Sequence, residues 1–183
     1  LEEAGIKIQK DKIAVNEFLE TSTKGVFAIG DVTTQTTGLA HGASAEGVRV
    51  VQNLKGPKFP MDYSAIPSCI YTDPEVASVG VIRESEIVQT KILFAGLGKA
   101  QVEGETEGFL KMTASRKGGR ILSVSAIGSH VTEFISEAAL AVRKGLSLKD
   151  LAETVHPHPT QSEVLQKAAE RLLTQSSQPV PSR

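Results

Sequence analysis

The chain has 183 residues, 40% hydrophobic and 22% charged, with a formal net charge of −1. That balance gives no electrostatic reason to expect nucleic acid or an anionic membrane as partner. No apolar run reaches the roughly 18 residues that a spanning helix needs. Cys69 is the single cysteine, which excludes an intrachain disulfide, a CxxC redox pair and a multi-cysteine metal site. In its apolar stretch between Pro67 and Ile70 it reads as a small buried hydrophobe of an intracellular chain. The start, Leu1-Glu2-Glu3-Ala4-Gly5, is acidic and lacks an initiator Met, so a piece of a longer protein is expected rather than a signal sequence.

In chain order, Ile13 to Asn16 and Gly25 to Ile29 read as short strands rich in β-branched and aromatic residues. After a Thr-rich loop, Ala40 to Leu54 reads as a helix with Ala43, Gly47, Val50, Val51 and Leu54 on one side. Lys55 to Pro60 is a linker by composition. Strands are then expected over Ile66 to Tyr71, Val76 to Val81, Gly108 to Ala114 and Ile121 to Ile127. The last two are joined by a turn containing Gly118-Gly119. Glu133 to Lys144 is an amphipathic helix with Gly145 as its C′ residue, and Ser147 to Asp150 is the start of a short helix. Thr160 to Glu163 fits a capping box opening a last helix to about Leu173, before a tail, Ser176 to Arg183, expected to be disordered. Strands followed by helices imply an α+β domain.

Three constellations could carry chemistry. Gly25 to Val32 is a strand ending in Gly30-Asp31, where a carboxylate can accept from ribitol or ribose hydroxyls; the same residues also suit a strand running into an Asx turn. Gly38 to Ala43 opens a helix, whose N-terminus offers N–H donors and a partial positive charge; it suits an ordinary Gly-rich helix start equally, with His41 facing solvent. His156-Pro157-His158-Pro159 first suggests a metal, but the prolines fix an extended segment with no further histidine nearby, so no metal site is expected. Glu163 in the first helical turn can instead orient His158 through one ring nitrogen and leave the other for proton transfer. Thr160 and Glu163 also suit a plain helix cap. Gly96-Leu97-Gly98 starts like a dinucleotide fingerprint but lacks the third glycine.

Six segments in order resemble the pyridine nucleotide-disulfide oxidoreductases. They are Val15-Asn16-Glu17, GVFAIGDV from Gly25, LAHGASAEG from Leu39, IPSCIYTDPEVASVG from Ile66, EGETEGFLK from Glu103 and HPHPTQSE from His156. The resemblance is nearest to the members that oxidise dihydrolipoamide, with a glutathione reductase-like relative as the alternative. It implies residues 1–58 as the last segment of an FAD-binding domain and residues 59–183 as a dimerisation domain. Carried over, Asp31 would bind the ribitol–pyrophosphate region of FAD, and Leu39, Ala40 and His41 would lie near the flavin ring. His158 would be the catalytic acid–base, with Glu163 orienting it, and the pair would serve the active site of the other subunit in a homodimer.

NAD would be the co-substrate, bound outside this stretch. Protein-bound dihydrolipoamide would be the substrate, and the acyltransferase subunit of a 2-oxo acid dehydrogenase complex the partner. A cytoplasmic location is expected, with mitochondrion or plastid open. The family's redox cysteine pair, its GxGxxG and its NAD motif are missing and are expected upstream of Leu1. The stretch from Gly80 to Ile92 is also shorter than the family's. On its own the chain is expected to be inactive, and a non-catalytic dimerisation module is the rival of a different class.

Overall fold

The computed structural model describes residues 1–176, so the expected disorder of the tail lies, beyond Ser176, outside the described residues. The chain divides into two compact units, Leu1–Tyr63 and a second beginning at Ser64. The division falls at Tyr63, where an end at residue 58 was expected. Four bonds keep the intervening segment with the first unit. Asn53 exchanges two hydrogen bonds of 2.9 Å with the main chain of Phe59, the Met61 amide donates to the Glu17 carbonyl, and the Tyr63 hydroxyl donates to Glu46.

In the first unit, β1 (Ile8–Gln9) and β2 (Lys12–Ile13) form a minimal antiparallel pair. Gly25 to Ile29 is not a strand: Gly25 lies in a turn at φ 80°, and among the described residues the segment makes one bridge, Phe27 to Glu20. β-propensity reflects packing on neighbouring strands, and this segment has none here to form a ladder with. Helix α1 (Ala40–Lys55) matches the expected helix, but it buries a different face: Gly42, Glu46, Val50 and Asn53 are inside, while Val51 and Leu54 are exposed. Two polar residues take inward positions because each has hydrogen-bond partners there. Glu46 accepts from the Gly30 amide at 2.6 Å and from Tyr63 at 2.8 Å.

The second unit is α+β, as expected. Strands β3 (Ser68–Ile70), β4 (Glu75–Gly80), β5 (Ile87–Leu93), β6 (Gly108–Ser115) and β7 (Ile121–Gly128) form an antiparallel sheet in the order β3-β4-β7-β6-β5. The register sets Ala77 and Leu110 against Ala126, and Val79 and Met112 against Val124, so these six buried side chains make one apolar face. Helices α2 (Gly98–Glu103), α3 (Val131–Lys144), α4 (Leu148–Glu153) and α5 (Glu163–Ser176) complete the core.

α3 packs against β4 and β7 through Val131, Phe134, Ile135, Ala138 and Ala141. α5 packs against β5 and β6, burying Val164, Leu165, Ala168, Ala169 and Leu172 at helical spacing. Gly145 ends α3 at φ 64°, with its amide closing on Ala141 and Val142 carbonyls, as the C′ reading requires. Gly128 is also obligatory: a Cβ there would come within 2.3 Å of the buried Phe94 ring.

Candidate active site

The segment between α4 and α5 is short, carries two prolines, and displays His158. Its imidazole is 72% exposed, yet Nδ1 lies 3.0 Å from Glu163 Oε1 at the first turn of α5. The second carboxylate oxygen of Glu163 accepts from the Thr160 amide at 2.9 Å. That is half of the expected capping box. The other half differs: the Thr160 hydroxyl donates to the Pro157 carbonyl at 2.8 Å, and regular helix begins only at Glu163. The exposed Pro157 carbonyl thereby gains a donor, and the segment closes on itself. Bonds from His158 first and then from Thr160 hold the Glu163 carboxyl below the usual glutamate range.

This arrangement sorts the two ring nitrogens. An ionised carboxylate only accepts, so Nδ1 carries the proton between His158 and Glu163, and Nε2 is left with a lone pair on an exposed ring. Such a ring can take a proton from a weak acid, and the neighbouring carboxylate stabilises the positive charge it acquires. His156, by contrast, is 3% exposed, with Nδ1 at 2.9 Å from the Thr154 carbonyl and Nε2 at 3.0 Å from Glu137 on α3. The two histidines do different work.

Gly98, at the start of α2, also belongs to this site. A Cβ there would lie 3.3 Å from His158 Cε1, so glycine lets the ring rest against the helix start. The Gly-x-Gly spacing gave no sign of this role, because the contact is made far along the chain. Among the described residues no group of three or more His, Cys, Asp or Glu side chains could hold a metal ion. No helix among them is long and apolar enough to cross a membrane.

The second candidate site lies in the first unit. Asp31 sits in a tight turn, Gly30–Val32, packed on α1. Its exposed carboxylate accepts from the Thr36 hydroxyl at 3.1 Å. Leu39 occupies the cap position of α1 and Ala40 and His41 its first turn, with no side chain capping the helix. Gly30 allows the turn to approach Ala43 of α1, and Gly42 leaves room for Thr37, whose hydroxyl a Cβ would meet at 2.4 Å. The structure thus brings Asp31, Leu39, Ala40 and His41 to one end of α1. An acceptor for sugar hydroxyls beside donors for an anionic or carbonyl oxygen fits a flavin nucleotide.

The pyridine nucleotide-disulphide oxidoreductase dimerisation domain matches residues 66–169, and the pyridine nucleotide-disulphide oxidoreductase model matches residues 1–47. The chain belongs to the pyridine nucleotide-disulphide oxidoreductase family. A dihydrolipoyl dehydrogenase of Bacillus subtilis is 40% identical over 176 residues, covering 92% of this chain and 37% of the relative. Another, from Thermus scotoductus, is 39% identical over 183 residues, covering 96% and 39%. The chain thus spans about two fifths of the length of these relatives. Among solved structures, LpdA from Mycobacterium tuberculosis superposes with a TM-score of 0.86 at 24% identity, covering 93% of this chain and 39% of that one. The HOCl-induced flavoprotein disulfide reductase RclA from Escherichia coli gives 0.82 at 23%, covering 92% and 41%. At that identity both likenesses show the fold alone.

Proposed function

We propose that this chain supplies the dimer-forming domain and the acid–base pair of a dihydrolipoyl dehydrogenase, a flavoprotein that oxidises protein-bound dihydrolipoamide with NAD. The observation that carries the reading is the His158–Glu163 pair, oriented on one nitrogen and exposed on the other. The first unit would hold the flavin through Asp31 and the start of α1, and the second would form the two-fold contact. When bound, FAD together with a redox-active disulfide and NAD supplies the electron acceptance.

What this chain contributes is proton handling. A free thiol, with a pKa near 8.5, is mostly protonated at neutral pH, and only its thiolate attacks a disulfide. His158 Nε2 takes that proton, and Glu163 holds the resulting imidazolium in place through Nδ1–H. Cys69, the chain's one cysteine, takes no part: burial, and secondarily the charge of Glu75, raise its thiol above the usual range.

The test uses the full-length parent. His158→Ala is expected to lower dithiol-dependent turnover by about 10²–10⁴-fold. Because the ring is 72% exposed, the dimer should remain folded. Glu163→Gln keeps a hydrogen-bonding group near Nδ1 and loses less. Full activity in His158→Ala would reduce the segment to a helix start and defeat the reading.

A further inference from the structure

His156 and Glu137 form a second histidine–carboxylate contact, two residues from the exposed one, with the imidazole buried and the carboxylate one-third exposed. A carbonyl oxygen only accepts, so His156 Nδ1 is the donor toward Thr154. The contact between Nε2 and Glu137 Oε1, at 3.0 Å, needs one further proton held between ring and carboxyl. Both nitrogens are therefore engaged with fixed protein atoms, and the ring, 3% exposed, has no face open to a reactant. Proton transfer is not available to it. What it can do is hold the chain.

We propose that Glu137 is a positioning residue for His158, acting through His156: the contact pins the segment to α3 so that Glu163 can aim the exposed ring. The inference rests on the reading of His158 as the base. Three features make the link stiff. Pro157 and Pro159 each fix φ near −65° and restrict the residue before them, so both His156 and His158 have limited backbone freedom. The Thr160 hydroxyl then ties back to the Pro157 carbonyl at 2.8 Å.

The two carboxylates also stand on different supports. Glu137 belongs to α3, packed over β4 and β7, whereas Glu163 opens α5, packed over β5 and β6. The segment is held at its upstream end over one half of the sheet and at its downstream end over the other. Release of the upstream end leaves His158 attached to Glu163 but free to swing with the loop, and small misplacements of a catalytic group are costly.

The experiment compares His158→Ala, Glu137→Ala, Glu137→Gln, His156→Phe and the double substitution Glu137→Ala/His158→Ala in the full-length parent, by steady-state kcat and KM. Glu137→Ala is expected to lower kcat by about 10–100-fold, the cost of a displaced group, with KM for NAD unchanged. Glu137→Gln can still bond Nε2 and should retain most of the turnover. His156→Phe fills the same buried space without a hydrogen bond and should match Glu137→Ala, which keeps the test alive if the alanine variant does not fold. The double substitution should be no slower than His158→Ala alone, because a residue acting through His158 has nothing left to position. A further loss of the same factor in the double variant would mark a merely structural role and overturn the proposal. Full activity in a folded Glu137→Ala or His156→Phe would do the same. If these are active while His158→Ala is not, the brace alone fails. If His158→Ala is itself fully active, the reading of the base fails and the brace with it.

Discussion

Glu163 serves two donors at once, the His158 ring and the Thr160 amide, and this double use links chemistry to stability. Its carboxyl titrates below the ordinary glutamate value when folded, whereas in the unfolded chain it returns to about 4.3. The unfolded state therefore binds the proton first as pH falls. The stabilisation is present in full above the unfolded value and is lost as pH drops through the lower, folded one. Urea unfolding of the chain and of Glu163→Gln should show the native carboxylate ahead at about pH 6, with the gap closing below about pH 4. A gap that widens in acid would mean that Glu163 is not bonded as described.

At the scale of elements, α1 is fastened by its polar face. Glu46 joins the Gly30 amide of the preceding turn to the Tyr63 hydroxyl of the following segment, and it is 1% exposed. Burial first, then the bond to Glu46 and its charge, push the Tyr63 phenol far above its usual range. Tyr63→Phe removes one donor and leaves a buried carboxyl oxygen unmet, so thermal unfolding should report a loss of about 1–3 kcal/mol. An unchanged midpoint would show that water replaces the phenol.

This fastening also shows where the sequence was legible. Helix α3 and its Gly145 stop could be read from local apolar spacing and a C′ glycine, and the same holds for the β6–β7 hairpin. The face of α1 could not, because Glu46 and Asn53 are held inside by hydrogen-bond partners outside the helix rather than by hydrophobicity. Strand β5 was missed because its core-facing set, Val88, Thr90 and Ile92, puts a polar residue at its most buried position, Thr90 at 5% exposed, which weakens the apolar alternation. At the site, His158 and Glu163 are five positions apart and share a helix start, which made the pair readable. The Glu137–His156 contact spans 19 positions and the Gly98–His158 approach more, with no periodicity to mark either.

For the whole molecule, a dimerisation domain should dimerise. The second unit exposes Ile70, Tyr71, Val81, Leu140 and Val155, the last at 91%. A two-fold contact covering such side chains would be obligate in size and composition. Sedimentation of the 19.4 kDa chain at micromolar concentration should therefore give twice that mass, and a monomer alone would count against the interface.

The groups that fix the exposed imidazole, namely Gly98, Glu137, His156, Thr160 and Glu163, all lie beyond Ser64, within one compact unit. Under the proposed function, the proton-transfer device is consequently portable. A recombination event near Tyr63 would deliver it whole to a different flavin-binding partner, so substrate choice and cofactor affinity can diverge in one segment of the gene while the acid–base geometry is inherited unaltered through the other.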